Sequence, residues 1–195
     1  MSDFDPAWLN AALADPVDRA AGLTVAQLGS AELLGAGGLK LTSAAFEDGD
    51  ELDPSFTADE EDSVAPPLEW SAPPAGTMEM ALVVEDADAD GKCHWLVWGI
   101  APQRGKLMEG EAPPRAGKNA AGNSEWLLPA PPEEDEAHRY IFQLFALSAP
   151  VDLAPGASRK ALIAAMEGNV LGVAVLTGLY AREKEIEDWD DIVTE

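Results

Sequence analysis

The stretch that most constrains the fold is residues 80–100, two apolar runs broken by an acidic hexapeptide. Met80, Leu82 and Val84 alternate with smaller residues and run into Asp86-Ala87-Asp88-Ala89-Asp90-Gly91. Cys93-His94-Trp95 then opens a second apolar run that ends at Ile100. Short apolar runs separated by Asp and Gly read as strand, turn, strand, so the turn sets carboxylates and an imidazole at one edge of a sheet. The chain has only two histidines, and the second, His138, also stands where a loop enters an apolar run. The two loops are expected to face each other across one small pocket for an anionic ligand.

A chain of 195 residues holds one sizeable core, so one domain with modest extensions is the default. Composition is ordinary for a globular protein except in its charge. The formal net charge of -24 sets up a field that repels phosphate backbones, which argues against nucleic acid and anionic membrane as general partners. A single cysteine cannot form an internal disulfide. The first residues, Met1-Ser2-Asp3-Phe4-Asp5, carry acid where an export signal carries base. The longest apolar stretch, near residues 170–179, is too short and too interrupted by glycine to span a bilayer. A cytoplasmic protein with no stable membrane insertion is the expectation.

Asp5-Pro6 reads as a helix start, with Trp8, Leu9, Ala12 and Leu13 on one face and Asp15-Pro16 closing the segment. So short a helix needs a docking partner, either the core or a second subunit. Gly35-Ala36-Gly37-Gly38 reads as a flexible joint, and Leu39-Lys40-Leu41-Thr42 alternates as a strand. Residues 46–77 read as long loops and short strands pinned by Phe46, Phe56 and Trp70, with Pro66-Pro67 forcing an extended path. Residues 101–137 form another proline-stiffened loop. His138-Arg139-Tyr140 leads into a strand over 141–147. Ser158 caps a helix over 159–167 that Gly168 ends, and a last strand covers 170–180. In the acidic tail, Ile186, Trp189 and Ile192 are spaced by three and could dock as an amphipathic turn. Many short strands, many turns and few helices predict an antiparallel β-sandwich of two sheets with peripheral helices.

Asp86-x-Asp88-x-Asp90-Gly91 matches the front half of a calcium loop, but the twelfth position is Val97 and the flanks read as strands, so an acidic turn is the plainer reading. Cys93 and His94 are neighbours on a strand and point to opposite faces, which argues against a thiol–imidazole pair. His94 and His138 lack a third ligand at zinc spacing. No nucleophile elbow, phosphate loop or dinucleotide fingerprint is present, and no cofactor is implied.

Six segments occur in the order seen in one family: Leu41-Thr42-Ser43-Ala44-Ala45-Phe46-Glu47-Asp48-Gly49, Pro66-Pro67-Leu68-Glu69-Trp70, the acidic loop 86–90, His94-Trp95, Pro129-Ala130-Pro131-Pro132 and His138-Arg139-Tyr140. Over residues 39–182 the chain resembles the phosphatidylethanolamine-binding proteins of the bacterial Raf-kinase-inhibitor-like branch. The resemblance leaves residues 1–38 as an N-terminal helical extension and 183–195 as an acidic tail. It implies a two-sheet β-sandwich with a pocket at one end, lined by Asp86, Asp88, His94, Pro131, Pro132, His138 and Tyr140. It also implies binding of phosphate-like anions, phosphoryl head groups or small carboxylates, and a homodimer.

The chain departs from the family pattern in two loops. The Asp-Pro-Asp-Ala-Pro loop is here Asp86-Ala87-Asp88-Ala89-Asp90, which loses two prolines and gains a charge. The usual Gly-Tyr-Gly-Gly-Pro lead is Glu125-Trp126-Leu127-Leu128-Pro129, where Trp126 can wall the pocket and offer an N–H donor. In the expected site, Asp86 orients His94 and favours its charged form, and both imidazoles donate to an anion most strongly at mildly acidic pH. The expected role is a binding or regulatory module. The alternatives are a hydrolase using His94 or His138 with Asp86, and an interaction protein with a vestigial pocket.

Overall fold

The alternation in residues 80–100 closes as an antiparallel hairpin, and the rest of the chain is built on both of its faces. The computed structural model describes residues 6–183. Its elements run α1 (Ala7–Ala12), α2 (Thr24–Leu28), β1 (Leu41–Thr42), β2 (Leu68–Trp70), β3 (Glu79–Asp86), β4 (Lys92–Ile100), β5 (Gly105–Leu107), β6 (Arg115–Ala116), β7 (His138–Leu147), α3 (Arg159–Met166) and β8 (Val170–Tyr180). Short 3-10 turns at Ala20–Gly22, Ala36–Gly38 and Pro54–Phe56 lie between them. The strands form a five-stranded sheet, β6-β4-β3-β7-β8, and a three-stranded sheet, β1-β2-β5. Every ladder in both sheets is antiparallel. This is the two-sheet architecture that the strand pattern predicts.

The large sheet is buried on both faces. Leu82, Val84, Val97, Phe142 and Leu144 face the small sheet, where Leu41, Leu68, Trp70 and Leu107 meet them, with Phe46 and Leu52 from the connecting loops. Ala81, Val83, Leu96, Trp98, Ile141 and Phe145 point the other way into a second core. Successive side chains of a strand point to opposite faces, so each apolar run supplies both cores, and all eight residues of β3 are buried.

The second core is closed by α3 through Leu162 and Met166, and by the N-terminal segment through Leu9, Leu13, Leu23 and Val25. The Leu9–Leu13 stripe therefore docks on the sheet of its own chain. Burial of each such side chain contributes about 1.5–3 kcal/mol. The contact is also polar. Fully buried Glu85 on β3 accepts hydrogen bonds from the Thr24 N–H at 2.8 Å, the Thr24 hydroxyl at 2.6 Å and the Gln143 amide at 2.8 Å, and it pairs with Arg159. Val25 N–H donates to the side-chain Oε1 of Gln143 at 2.7 Å.

Local expectations hold in most places. Phe46, Phe56 and Trp70 are buried. The Ser158 hydroxyl accepts from Ala161 N–H at 3.1 Å, and α3 ends one residue earlier than the sequence suggests. Residues 35–38 are a turn fastened to β8 by Gly35 N–H to the Val173 carbonyl at 2.8 Å, rather than a free joint. Residues 39–40 lie outside β1, and the short strands β5 and β6 break up what reads as one long loop. Asp5 and the Ile186, Trp189, Ile192 spacing lie outside the described residues. Among the described residues no helix is long and apolar enough to cross a membrane.

Candidate ligand-binding site

Asp86 ends β3, the middle strand of the sheet. Across one ladder it is opposite Tyr140 on β7, and across the other it is opposite Lys92 on β4. Tyr140 and His138 are two apart on β7 and so share a face. On β4 the register slips: Val84 pairs with Trp95 and Glu85 with Cys93, which leaves His94 as an extra residue on its strand. This bulge turns the His94 ring toward the first core while Cys93 goes to the second. The two histidines thus stand on the strands flanking Asp86, not in facing loops. Their rings meet at Tyr140, His94 edge-on with centroids 5.1 Å apart and His138 at 6.5 Å.

The hydrogen bonds differ from the expected set. Asp86 holds His138, not His94: its Oδ2 lies 2.7 Å from His138 Nδ1, and its Oδ1 accepts the Asp88 N–H at 2.9 Å. His138 Nε2 lies 3.0 Å from Asp135 Oδ2. Both His138 nitrogens therefore face carboxylates, the arrangement of an imidazolium donating twice. Burial opposes that charge, but Asp86 and Asp135 outweigh it and raise the pKa above the ordinary value of 6.5.

His94 is the opposite case. Its Nδ1 lies 2.6 Å from the Leu127 carbonyl oxygen, which can only accept, so Nδ1 carries a proton. Its Nε2 is buried with no hydrogen-bond partner among the described residues. Burial lowers the His94 pKa, only partly offset by the Leu127 bond and the Asp86 charge. His94 is therefore the neutral imidazole of the pair, a correction to the expected charged form. Tyr140, 1% exposed, stays a phenol, because burial and then the Asp86 charge push its pKa up.

The other expected lining residues take different places. Asp88 turns to Arg139, accepting from its backbone N–H at 2.7 Å and its Nε at 3.0 Å. Burial opposes ionisation of Asp88, yet these bonds hold its pKa below the usual carboxylate range. Asp90 pairs with Arg19. Asp86, Asp88 and Asp90 are thus each directed to a different cation, unlike a calcium loop. Pro131 is buried and Pro132 exposed, and the Pro132 carbonyl accepts from Asp135 N–H at 3.1 Å, a turn that delivers Asp135 to His138. Trp126 walls the His94 side with its ring 6.2 Å away and stacks on Phe142 at 5.8 Å. Its N–H does not serve the site, because it donates to the Phe56 carbonyl at 3.0 Å. Cys93 is inert, its thiol pushed up to about 12 by burial and then by the Glu85 charge.

Asp135, Arg139 and the Leu127 carbonyl are the participants that sequence reasoning misses. Only Asp135 leaves a sequence signal, a carboxylate three residues before His138 on a tight proline turn. The constellation is closed: His94 is 2% exposed, Asp86 3% and His138 7%. A cleft of about 500 Å³ lies beside it, lined by Val64, Trp95, Glu125, Trp126 and Leu128. Trp126 is common to the cleft and the His94 contact.

A two-sheet β-sandwich with histidines on the strands flanking a central aspartate defines the class of protein. The family model described as Phosphatidylethanolamine-binding protein matches residues 42–181. A UPF0098 protein of Methanothermobacter thermautotrophicus is 38% identical over 156 residues, covering 74% of this chain and 99% of that protein. A phosphatidylethanolamine-binding protein homologue of Chlamydia trachomatis, CT736, superposes with a TM-score of 0.69 at 31% identity, covering 74% of this chain and 98% of its own. Escherichia coli YbcL shares the fold at a TM-score of 0.67 and 24% identity, covering 74% of this chain and 99% of its own. The chain belongs to the phosphatidylethanolamine-binding protein family, and membership supports a ligand-binding protein of that type.

Proposed function

We propose that the protein binds a small oxyanion, a phosphoryl group before others, at the His94–Tyr140–His138 cluster, and that it acts as a binding or regulatory module. The observation that carries this reading is the unpartnered Nε2 of His94. A buried polar atom without a partner costs about 1–3 kcal/mol, and this one sits beside a charged imidazole in a family named for a phosphorylated lipid. Access requires Trp126 to swing aside and join the neighbouring cleft to His94. His138 is a poor general base, since both its nitrogens are engaged, which weighs against the hydrolase that would use it. The closure of the cluster favours the second reading, an interaction protein whose pocket stays shut. A homodimer and a cytoplasmic location remain part of the proposal.

Isothermal titration of inorganic phosphate at pH 6.5 separates these readings. Saturable one-site binding that His94→Ala abolishes supports the binding module. No heat and no thermal shift up to millimolar phosphate would favour the closed-pocket protein.

A further inference from the structure

We infer that the site takes only an oxyanion that arrives with a proton of its own, such as a phosphomonoester monoanion, and rejects sulfate and ionised carboxylates; this rests on the oxyanion reading above. Leu127 fixes the His94 proton on Nδ1, so in the neutral ring Nε2 is a bare lone pair. The groups that face His94 do not change this. Asp86 on β3 is acidic and already bonded, the Tyr140 phenol on β7 lies edge-on to the ring without bonding its Nε2, and His138 on β7 spends both N–H groups on Asp86 and Asp135. Lys92 on β4 and His138 each disfavour a positive charge on His94, while Asp86 favours one. From the 125–128 segment come the Leu127 carbonyl and the Trp126 ring, whose N–H points to Phe56.

A fully deprotonated oxygen placed at Nε2 would meet a lone pair with carboxylates behind it. An oxygen bearing hydrogen would donate to that lone pair, satisfy the buried nitrogen and leave His94 neutral. The ligand class narrows from phosphoryl or carboxyl groups to phosphoryl groups near their second ionisation, because sulfates and carboxylates carry no proton at neutral pH. His94 is then a specificity-determining residue, and its tautomer is set by a single backbone carbonyl.

The test titrates the full-length protein with methyl phosphate, whose dianion carries no proton, and with sulfate at pH 6, 7 and 8, recording proton uptake in two buffers of different ionisation enthalpy. Methyl phosphate should bind about 10- to 100-fold more tightly than sulfate at pH 6 to 7, the range set by one unmade buried hydrogen bond. Above its second ionisation methyl phosphate has lost its only P–OH, so its affinity should fall about tenfold per pH unit, one proton being taken up with the ligand. The sulfate gap should narrow toward pH 8 as the protonated ester is depleted. His94→Gln, which can turn an amide N–H toward the ligand, should recover sulfate binding. Equal affinity for the two anions at pH 6 to 7 would overturn the inference and leave the oxyanion reading standing. Binding of neither anion would overturn both.

Discussion

At the scale of single residues, two histidines about one tyrosine apart are driven in opposite directions. His94 loses its charge to burial, and His138 keeps its charge because two carboxylates hold it. The consequences for stability have opposite signs. The contribution of His138 is complete below its unfolded value of about 6.5 and is lost as pH rises through its raised folded value. The cost at His94 is absent above about 6.5 and grows as pH falls below it toward the lowered folded value. Denaturant melts of the wild type and His138→Gln from pH 5 to 9 should show their gap shrinking on the alkaline side. Asp86→Asn should bring the His138 titration downward, and an unchanged His138 would contradict the assignment of that carboxylate. Both histidines were legible in the sequence as site residues; their partners were not. The bulge that reorients His94 is a slip in pairing between β3 and β4, and neither strand's own pattern records it.

At the scale of elements, the long strands were legible because alternation and turn residues agree: residues 170–180 form β8 as expected, and the acidic loop closes the β3–β4 hairpin. The strands β1, β5 and β6, of two or three residues, were not separable from the loops around them, since so few residues carry no period. The acidic loop lacks the two prolines of the family pattern, and other contacts hold it instead. Arg19 takes Asp90, Arg139 takes Asp88 and also donates to the Pro16 carbonyl, and Gly91 (φ +72°) lies against the Gly22 carbonyl. A Cβ on Gly91 would come 3.2 Å from that oxygen in a backbone region that favours glycine. The N-terminal segment therefore braces the loop that carries Asp86. Strength should differ sharply between its contacts. Arg19→Ala, at an exposed pair, should cost less than about 1 kcal/mol. Glu85→Ala, which leaves Arg159, Thr24 and Gln143 without their shared acceptor, should cost about 3–5 kcal/mol in urea melts. A loss under 1 kcal/mol for Glu85→Ala would show that the buried network does not fasten the segment.

At the scale of the whole molecule, one sheet carries two cores, and the second is completed by residues ahead of the family match at 42–181. The sequence exposed the Leu9–Leu13 stripe but not what it covers, because a continuous apolar run shows that both faces of a strand are covered and not which segment covers each. Removal of residues 1–28 should uncover Val83, Trp98, Ile141 and Phe145 and yield a chain that binds hydrophobic dye and melts without a cooperative transition. A truncated protein with an unchanged melting temperature would mean that the segment only decorates the sheet. The ligand account rests on the charge states on the opposite face of that sheet, and nitrogen-15 NMR of the two histidine rings at pH 7 reads them directly. The account predicts a charged His138 and a neutral His94 with its proton on Nδ1, whose Nε2 resonance alone shifts when phosphate is added. A charged His94, a proton on Nε2 in the free protein, or an Nε2 indifferent to saturating phosphate would contradict it.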